Sequence, residues 1–397
     1  MRTKVKLKGG ISLIVLVITI IVMIILAAAI ILSLSNSGII GKANKAKTDT
    51  DISNAKDLVA MAHADWMLDE AKIKENDNTI TSFSNYAEKK LQEAGYKVGA
   101  GEGAYTVTEE GEVYTGLTET ARAGITAGIK IGDVVKYSAV LTAKSYTTDG
   151  SERTSTGAAD STKTQTVKTN TGYTWKYIGL GEDGSLLIAP DMAGIIGTDY
   201  KLTLGDKGGY INGPKMLNTV CDALYTVEGK GKAQSMNIDL VNKLLEYNGP
   251  KGRYYDTSGN TVETAEPKTI GETGLVSNLG SNTQTPDGKD ISTYYADVYY
   301  INKTNHASRI TKDTVRQNLV YQANNYWLAS PCVHADFRDG DVRFSVGYVV
   351  SAYVNALVMF ISRGIAPSND CAVRPYVSLI SNVQKTTENG KTVWTLS

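Results

Sequence analysis

Residues 8–35 read KGGISLIVLVITIIVMIILAAAIILSLS, and no charge appears from Gly9 to Gly41. Four basic residues, Arg2, Lys4, Lys6 and Lys8, lie just upstream. Ile11 to Leu34 is almost wholly aliphatic, and ~24 residues at ~1.5 Å each make a helix of about 36 Å, enough to cross a hydrocarbon core ~30 Å thick. The cations lie on the N-terminal side and the next charge is Lys42, so the positive-inside tendency keeps the first ten residues in the cytoplasm. Everything after Ser35 is expected outside it.

A cleaved secretory signal ending near Ala27-Ala28-Ala29 would have an apolar region of only ~7–15 residues. An ordinary uncleaved anchor explains the length but gives the Lys8-Gly9-Gly10 junction no purpose. That junction, followed by Ile11-Ser12-Leu13-Ile14 and the aliphatic run, resembles the leader and first helix of type IV pilins and pseudopilins. The resemblance implies cleavage between Gly10 and Ile11 by a prepilin peptidase, a single membrane span, and other pilin subunits as partners. That family carries a glutamate five residues into the mature chain, where Val15 stands here, and filament assembly rests on that carboxylate.

Past the anchor, Ala43, Ala46, Ile52, Ala55, Leu58, Val59, Ala62 and Trp66 recur at three- and four-residue steps with charged residues between them, which predicts one long helix turning amphipathic. A short helix from Ser84 to Ala94 and a hairpin around Glu110-Gly111 are expected to cover its apolar stripe. The chain thus divides into a leader (1–10), a transmembrane helix (11–35), a pilin-like stalk and head (36–120), a Thr-, Ala- and Gly-rich linker (121–130), a second domain (131–382) and a C-terminal strand or tail (383–397). At 397 residues the chain exceeds what one core usually holds.

In the second domain, Ile131–Leu141, Tyr173–Ile178 and Ser185–Ala189 read as strands, and Asn218–Tyr225 and Ser235–Tyr247 as helices, so the fold class is α+β with long loops. Gly179-Leu180-Gly181-Glu182-Asp183-Gly184 has the spacing of a dinucleotide fingerprint, but Ser185-Leu186-Leu187-Ile188 continues as a strand where a helix is needed, so a hairpin turn is expected. His63, His306 and His334 lie in unrelated segments without metal-ligand spacing, and the carboxylates are scattered. No enzyme chemistry, cofactor or metal is therefore expected. The 41 basic residues balance the 41 acidic ones, without a basic run beyond the leader, which argues against nucleic acid. Cys221, Cys332 and Cys371 are an odd number, with Cys221 and Cys332 open to pairing.

Two segments, Asn325-Tyr326-Trp327-Leu328-Ala329-Ser330-Pro331 and Ala372-Val373-Arg374-Pro375-Tyr376-Val377-Ser378-Leu379, resemble fixed frames of the C-type-lectin-like fold. Related domains occur in formylglycine-generating enzymes and in the variable proteins of diversity-generating retroelements. No catalytic residue of the enzyme branch can be placed here. Ile131-Gly132-Asp133-Val134-Val135, Trp175-Lys176-Tyr177-Ile178-Gly179 and Ala233-Gln234-Ser235-Met236-Asn237-Ile238 resemble further pieces of the same bacterial surface-protein family.

Between the frames, the 40 residues from Cys332 to Cys371 contain no Lys, Glu, Gln or Trp, although the chain holds 31 Lys, 17 Glu and 7 Gln, which predict five or six in such a window. Arg338, Arg343 and Arg363 are three of the ten arginines. Codons ending in a pyrimidine cannot encode Lys, Glu, Gln, Met or Trp, and the window fits that alphabet except at Met359. Retroelement diversification of adenines in Asn-type codons would leave such an alphabet; an ordinary surface loop region is the bland alternative. On the first reading, Phe344, Val346, Val349, Val354, Phe360 and Gly364 are framework, and Trp327, Arg374 and Pro375 hold the ends, with Arg374 tying loop carbonyls through its fork of donors. The expected contact positions are Tyr348, Val350, Ser351, Tyr353, Asn355, Leu357, Ile361, Arg363, Ile365, Ser368 and Asp370, extended by His334, Asp336, Arg338 and Asp341. A protein anchored in a bacterial cell membrane, with most of its chain extracellular, is the expectation. It would bind a cell-surface protein or glycan, and a structural role as a minor pilin is the alternative.

Overall fold

The computed structural model describes residues 39–148, 164–192, 197–297 and 300–397 as a mixed α+β structure. The apolar run Ile11–Leu34 and the Gly10/Ile11 junction lie outside the described residues. Among those described, no helix is long and apolar enough to cross a membrane. The described residues form two compact units, one reaching Val98 and including Val107–Thr115, the other made of Gly99–Thr106 and the described residues of Gly116–Ser397.

In the first unit, Ile39–Asn76 is helical with a break at Asp69 (φ −153, ψ 48); of the predicted stripe it buries Ala55, Val59, Ala62 and Trp66, while Ile52 and Leu58 are half-buried and Ala46 is exposed. The helix Phe83–Glu93, capped by Ser82, covers it with Phe83, Tyr86, Ala87 and Leu91. The Trp66 ring lies 6.2 Å from Phe83 and 5.8 Å from Tyr86, in the range of favourable aromatic contacts. Buried Glu88 accepts from the Val107 N–H at 3.2 Å. The turn expected at Glu110-Gly111 forms, with the Gly111 N–H donating to the Thr108 carbonyl at 3.0 Å.

The second unit is built on two sheets. The seven-stranded sheet runs in the order Val383–Glu388, Lys391–Leu396, Val134–Val135, Thr174–Leu180, Leu186–Asp191, Pro375–Leu379, Gly231–Ser235. Two boundaries drawn from the sequence are corrected here. Residues 121–130, expected as a linker, fall largely within the helix Glu119–Thr126, capped by Thr118. The helix is packed so closely that a Cβ at Gly124 would come within 2.9 Å of the Leu186 and Val383 side chains. Small residues chosen for this approach look like a linker in composition. Residues 383–397, expected as a strand or tail, form two strands, an edge hairpin of the sheet, with Trp394 fully buried and its indole N–H on Asp133 at 2.9 Å. Its turn is Asn389-Gly390, both at positive φ, as two-residue hairpins prefer.

The eight-stranded sheet runs Thr261–Thr264, Gly252–Tyr255, Tyr326–Asp336, Asp341–Val350, Tyr353–Ile361, Ile301–Asn302; Ser368–Ala372 joins it beside Tyr326 and pairs with Lys201–Gly205. The helix Asp206–Tyr225 packs against strands of both sheets and buries Met216, Leu217, Val220 and Leu224. It begins twelve residues before the expected Asn218, because Gly209 and Gly213, which weaken the helical pattern, are what let it lie on the sheet. A Cβ at Gly213 would sit 3.1 Å from Leu204. The expected 235–247 helix is Ile238–Leu245, capped by Asn237, and the 131–141 strand shrinks to Val134–Val135. Gly179–Gly184 turns between antiparallel strands, as the failed dinucleotide reading requires.

Candidate recognition face

The two frames meet around the window in the manner expected of a scaffold. Trp327 is fully buried and its indole N–H donates to the Leu202 carbonyl at 2.7 Å. Arg374 is fully buried too; Nε and Nη2 donate to the Pro190 carbonyl at 3.2 and 3.0 Å, and Nη2 to the Leu319 carbonyl at 2.7 Å. The guanidinium thereby ties two distant segments through their main chains. Pro375 pairs with Ser235 in the seven-stranded sheet.

The window itself is two successive antiparallel hairpins, built from Tyr326–Asp336, Asp341–Val350 and Tyr353–Ile361, followed by the strand Ser368–Ala372, and not irregular loop. Phe344, Val346, Val349, Val354 and Phe360 are all buried, and Phe344 and Phe360 join a core cluster with Ile270, Leu275 and Val333. Tyr326, Val349, Val354 and Ile301 form one continuous cross-strand row. Gly364, expected as framework, is exposed instead, at φ 89 where the chain reverses between Ile361 and Ile365.

Of the expected contact positions, Ser351, Tyr353, Arg363, Ile365, Ser368, Asp370 and Arg338 are exposed. Tyr348, Val350, Asn355, Leu357, Ile361 and His334 are half-buried. They do not share one surface. His334, Arg343 and Ile361 lie opposite one another in one row, and Trp327, Tyr348 and Asn355 in another. The inserted residues at both register shifts belong to the neighbouring strands, so Asp341–Val350 alternates without interruption. Arg343 and Tyr348, five residues apart, therefore point to opposite faces.

Asp336 and Asp341, expected at the exposed rim, are wholly buried opposite each other at the hairpin end. The reason is the arginine excess. Arg343 reaches Asp341 at 3.2 Å, Asp336 at 3.5 Å and Asp339 at 2.5 Å; Arg338 reaches Asp336 and Asp339, and Arg363 reaches Asp341 at 3.2 Å. All three window arginines thus neutralise all three aspartates of the 336–341 turn. Burial still pushes the Asp341 carboxyl up, against the pull of Arg343 and Arg363. Beside this cluster, burial and Arg343 push His334 down to about 4, and its Nε2 has no hydrogen-bond partner.

Cys221 and Cys332 do not pair. All three cysteines are free and buried, and burial pushes the Cys371 thiol up to about 12. Among the described residues no group of His, Cys, Asp or Glu is arranged to hold a metal.

Two hollows complete the picture. One, of about 420 Å³, places Ser368 and Asp370 beside Gln165, Thr203 and Lys201, the last 3.0 Å from Asp370. The other, of about 760 Å³, lies against the seven-stranded sheet, between the Gly181–Ser185 turn and the helix Ile238–Leu245, with Tyr376, Gln234, Asp239 and Lys243 on its wall. Asp239 and Lys243 are i, i+4 neighbours on the helix and Tyr376 pairs with Gln234 in the sheet, but nothing in the spacing brings the two pairs together. Comparisons of the chain with protein-family models, curated proteins and solved structures find no match.

Proposed function

We propose that this chain is a pilin-anchored binding protein displayed outside the bacterial cell, whose C-terminal lectin-like domain presents a diversified recognition face. The supporting observation is the division of labour inside the 332–371 window. Residues of the restricted alphabet supply antiparallel strands with a fixed buried row, while Ser351 and Tyr353 stand exposed at one end of the strand Tyr353–Ile361 and Ile365 and Ser368 beyond its other end. Tyrosine and serine on a rigid support suit adaptable recognition. The anchor and the leader junction supply display, and the partner is a cell-surface protein or glycan. The test is retention of the full-length protein, in detergent, on bacterial and host cell surfaces, before and after joint replacement of those four exposed residues. Retention that survives the replacement would contradict the proposal.

A structural role as a minor pilin in a type IV pilus or type II secretion filament has one observation in its favour. Met61, Met67 and Leu68 stand 66%, 73% and 84% exposed on the Ile39–Asn76 helix, apolar surface of the kind that neighbouring subunits cover. Cysteine crosslinking at Met61 in assembled filaments tests it.

A further inference from the structure

A row of alternating cations and aromatic rings involves Gly252–Tyr255, Tyr300, Arg338 and Tyr353 of the eight-stranded sheet and its connections. The Arg253 guanidinium carbon lies 4.8 Å from the Tyr300 ring and 5.8 Å from the Tyr255 ring. The Arg338 guanidinium approaches the same Tyr255 ring at 5.4 Å, and Tyr300 lies 6.2 Å from the ring of exposed Tyr353. Two members, Arg338 and Tyr353, come from the window, and three come from outside it. The charge accounting along this row is uneven. Arg338 is paired with Asp336 and Asp339, whereas Arg253 makes no ion pair among the described residues.

Its carboxylate neighbours are all engaged elsewhere. Glu263 stands directly opposite Arg253 in strand register, yet pairs with Arg309 at 3.0 Å. Asp297 bridges to Arg253 through the main chain, but its carboxylate accepts from the Val333 N–H at 2.7 Å. The Arg253 Nε–H is closed off from solvent and has no acceptor. A guanidinium held between two rings, oriented and unneutralised, is a ready receptor for a planar anion, since its fork of donors matches a carboxylate.

We propose that Arg253, flanked by Tyr255 and Tyr300, receives the carboxylate of an acidic sugar, with the Tyr300 and Tyr353 rings as the platform for the sugar ring. This names a ligand class for the recognition face and rests on that reading. A sugar is favoured over an acidic peptide joining as an added strand, because the Gly252–Tyr255 strand is paired on both sides, with Thr261–Thr264 and with Tyr326–Asp336, leaving no open edge there.

The test is calorimetric titration of the full-length protein in detergent with trigalacturonate, the neutral galactose trisaccharide and hexaglutamate. Trigalacturonate is expected to bind, more weakly as salt rises, and the neutral trisaccharide is not. Arg253→Gln should weaken binding roughly ten- to a hundredfold, and Arg253→Lys, which keeps the charge and loses the fork, should restore only part of it. Tyr353→Ser, at an exposed site, gives a second variant if Arg253→Gln folds poorly; it should weaken trigalacturonate binding with an unchanged urea midpoint. Equal binding of the neutral and acidic trisaccharides, or undiminished binding by a folded Arg253→Gln protein, would overturn the assignment, and so would hexaglutamate binding as tightly. A protein retained on cell surfaces through its exposed window residues, yet indifferent to trigalacturonate, would overturn this inference alone.

Discussion

Replacing Arg374 by lysine tests what its planar fork does for the domain. The charge stays buried, and because an ammonium is more strongly hydrated than a guanidinium, desolvation adds to the cost of the lysine. Geometry changes as well. The guanidinium satisfies the carbonyls of Pro190 and Leu319 together and lies 4.7 Å from the Tyr326 ring. An ammonium on a flexible stem cannot reproduce that two-sided reach. One carbonyl left without its donor costs about 1–3 kcal/mol, and the lost contact with the ring about 0.5–2 kcal/mol. A destabilisation of about 1.5–5 kcal/mol is therefore expected from Arg374→Lys, a large fraction of the ~5–15 kcal/mol that holds a domain. Urea unfolding followed by tryptophan fluorescence reads it directly, since Trp175, Trp327 and Trp394 are fully buried in the same unit. A loss below about 0.5 kcal/mol, the scale of an ordinary surface substitution, would refute the claim that Arg374 ties the frames together.

The remaining predictions concern charge, space and origin. Burial raises Asp297 from 3.8 to about 6, so its folded form takes up a proton before the unfolded chain does, and its contribution, complete below pH 3.8, is lost as pH rises through 6. Asp297→Asn keeps an acceptor for the Val333 N–H and should raise stability at pH 7 by up to about 3 kcal/mol, measured by urea midpoints. His334 works in the opposite sense: its pKa falls from 6.5 to about 4, so its contribution is complete above pH 6.5 and disappears as pH drops toward 4. Removing Asp297 should therefore leave a stability that declines between pH 6.5 and 4, and a flat profile would contradict the His334 assignment. Gly231→Ala places a methyl group 2.5 Å from the Val377 side chain and 3.1 Å from the Ser378 carbonyl, and a loss of about 1–3 kcal/mol is expected from such overpacking, read as a fall in melting temperature. Sequencing the genetic locus should reveal a near-copy of the segment encoding Cys332–Cys371 beside a reverse transcriptase gene, differing at adenines; a locus without it would contradict retroelement diversification.

What could be read from the chain depended on whether the relevant force leaves a local pattern. The stripe Ala55, Val59, Ala62 and Trp66 was legible because helical periodicity is local, and the mixed α+β class because strand-prone runs and turn residues are local too. Arg374 was legible because a lone arginine between apolar residues has few roles but bonding to main chain. The helix at Glu119–Thr126 was not, since its small residues serve packing against Leu186 and Val383, far away in sequence. The closing hairpin had a clear signal in Asn389-Gly390, which the reading of 383–397 as a strand or tail left unused. Asp336 and Asp341 were misplaced for a different reason. Their burial depends on Arg343 and Arg363, and no spacing rule shows that all three window arginines converge on one turn. The Arg253 row draws on four separated segments and was equally invisible, as was the hollow beside Tyr376.

Joint replacement of Ser351, Tyr353, Ile365 and Ser368, with urea unfolding and cell-surface retention measured on the same full-length preparations, tests the central claim most directly. The account predicts an unfolding midpoint close to that of the parent protein and a loss of retention. A collapsed midpoint would show these residues to be structural, and unchanged retention would show that recognition, if the chain performs it, lies elsewhere on the molecule.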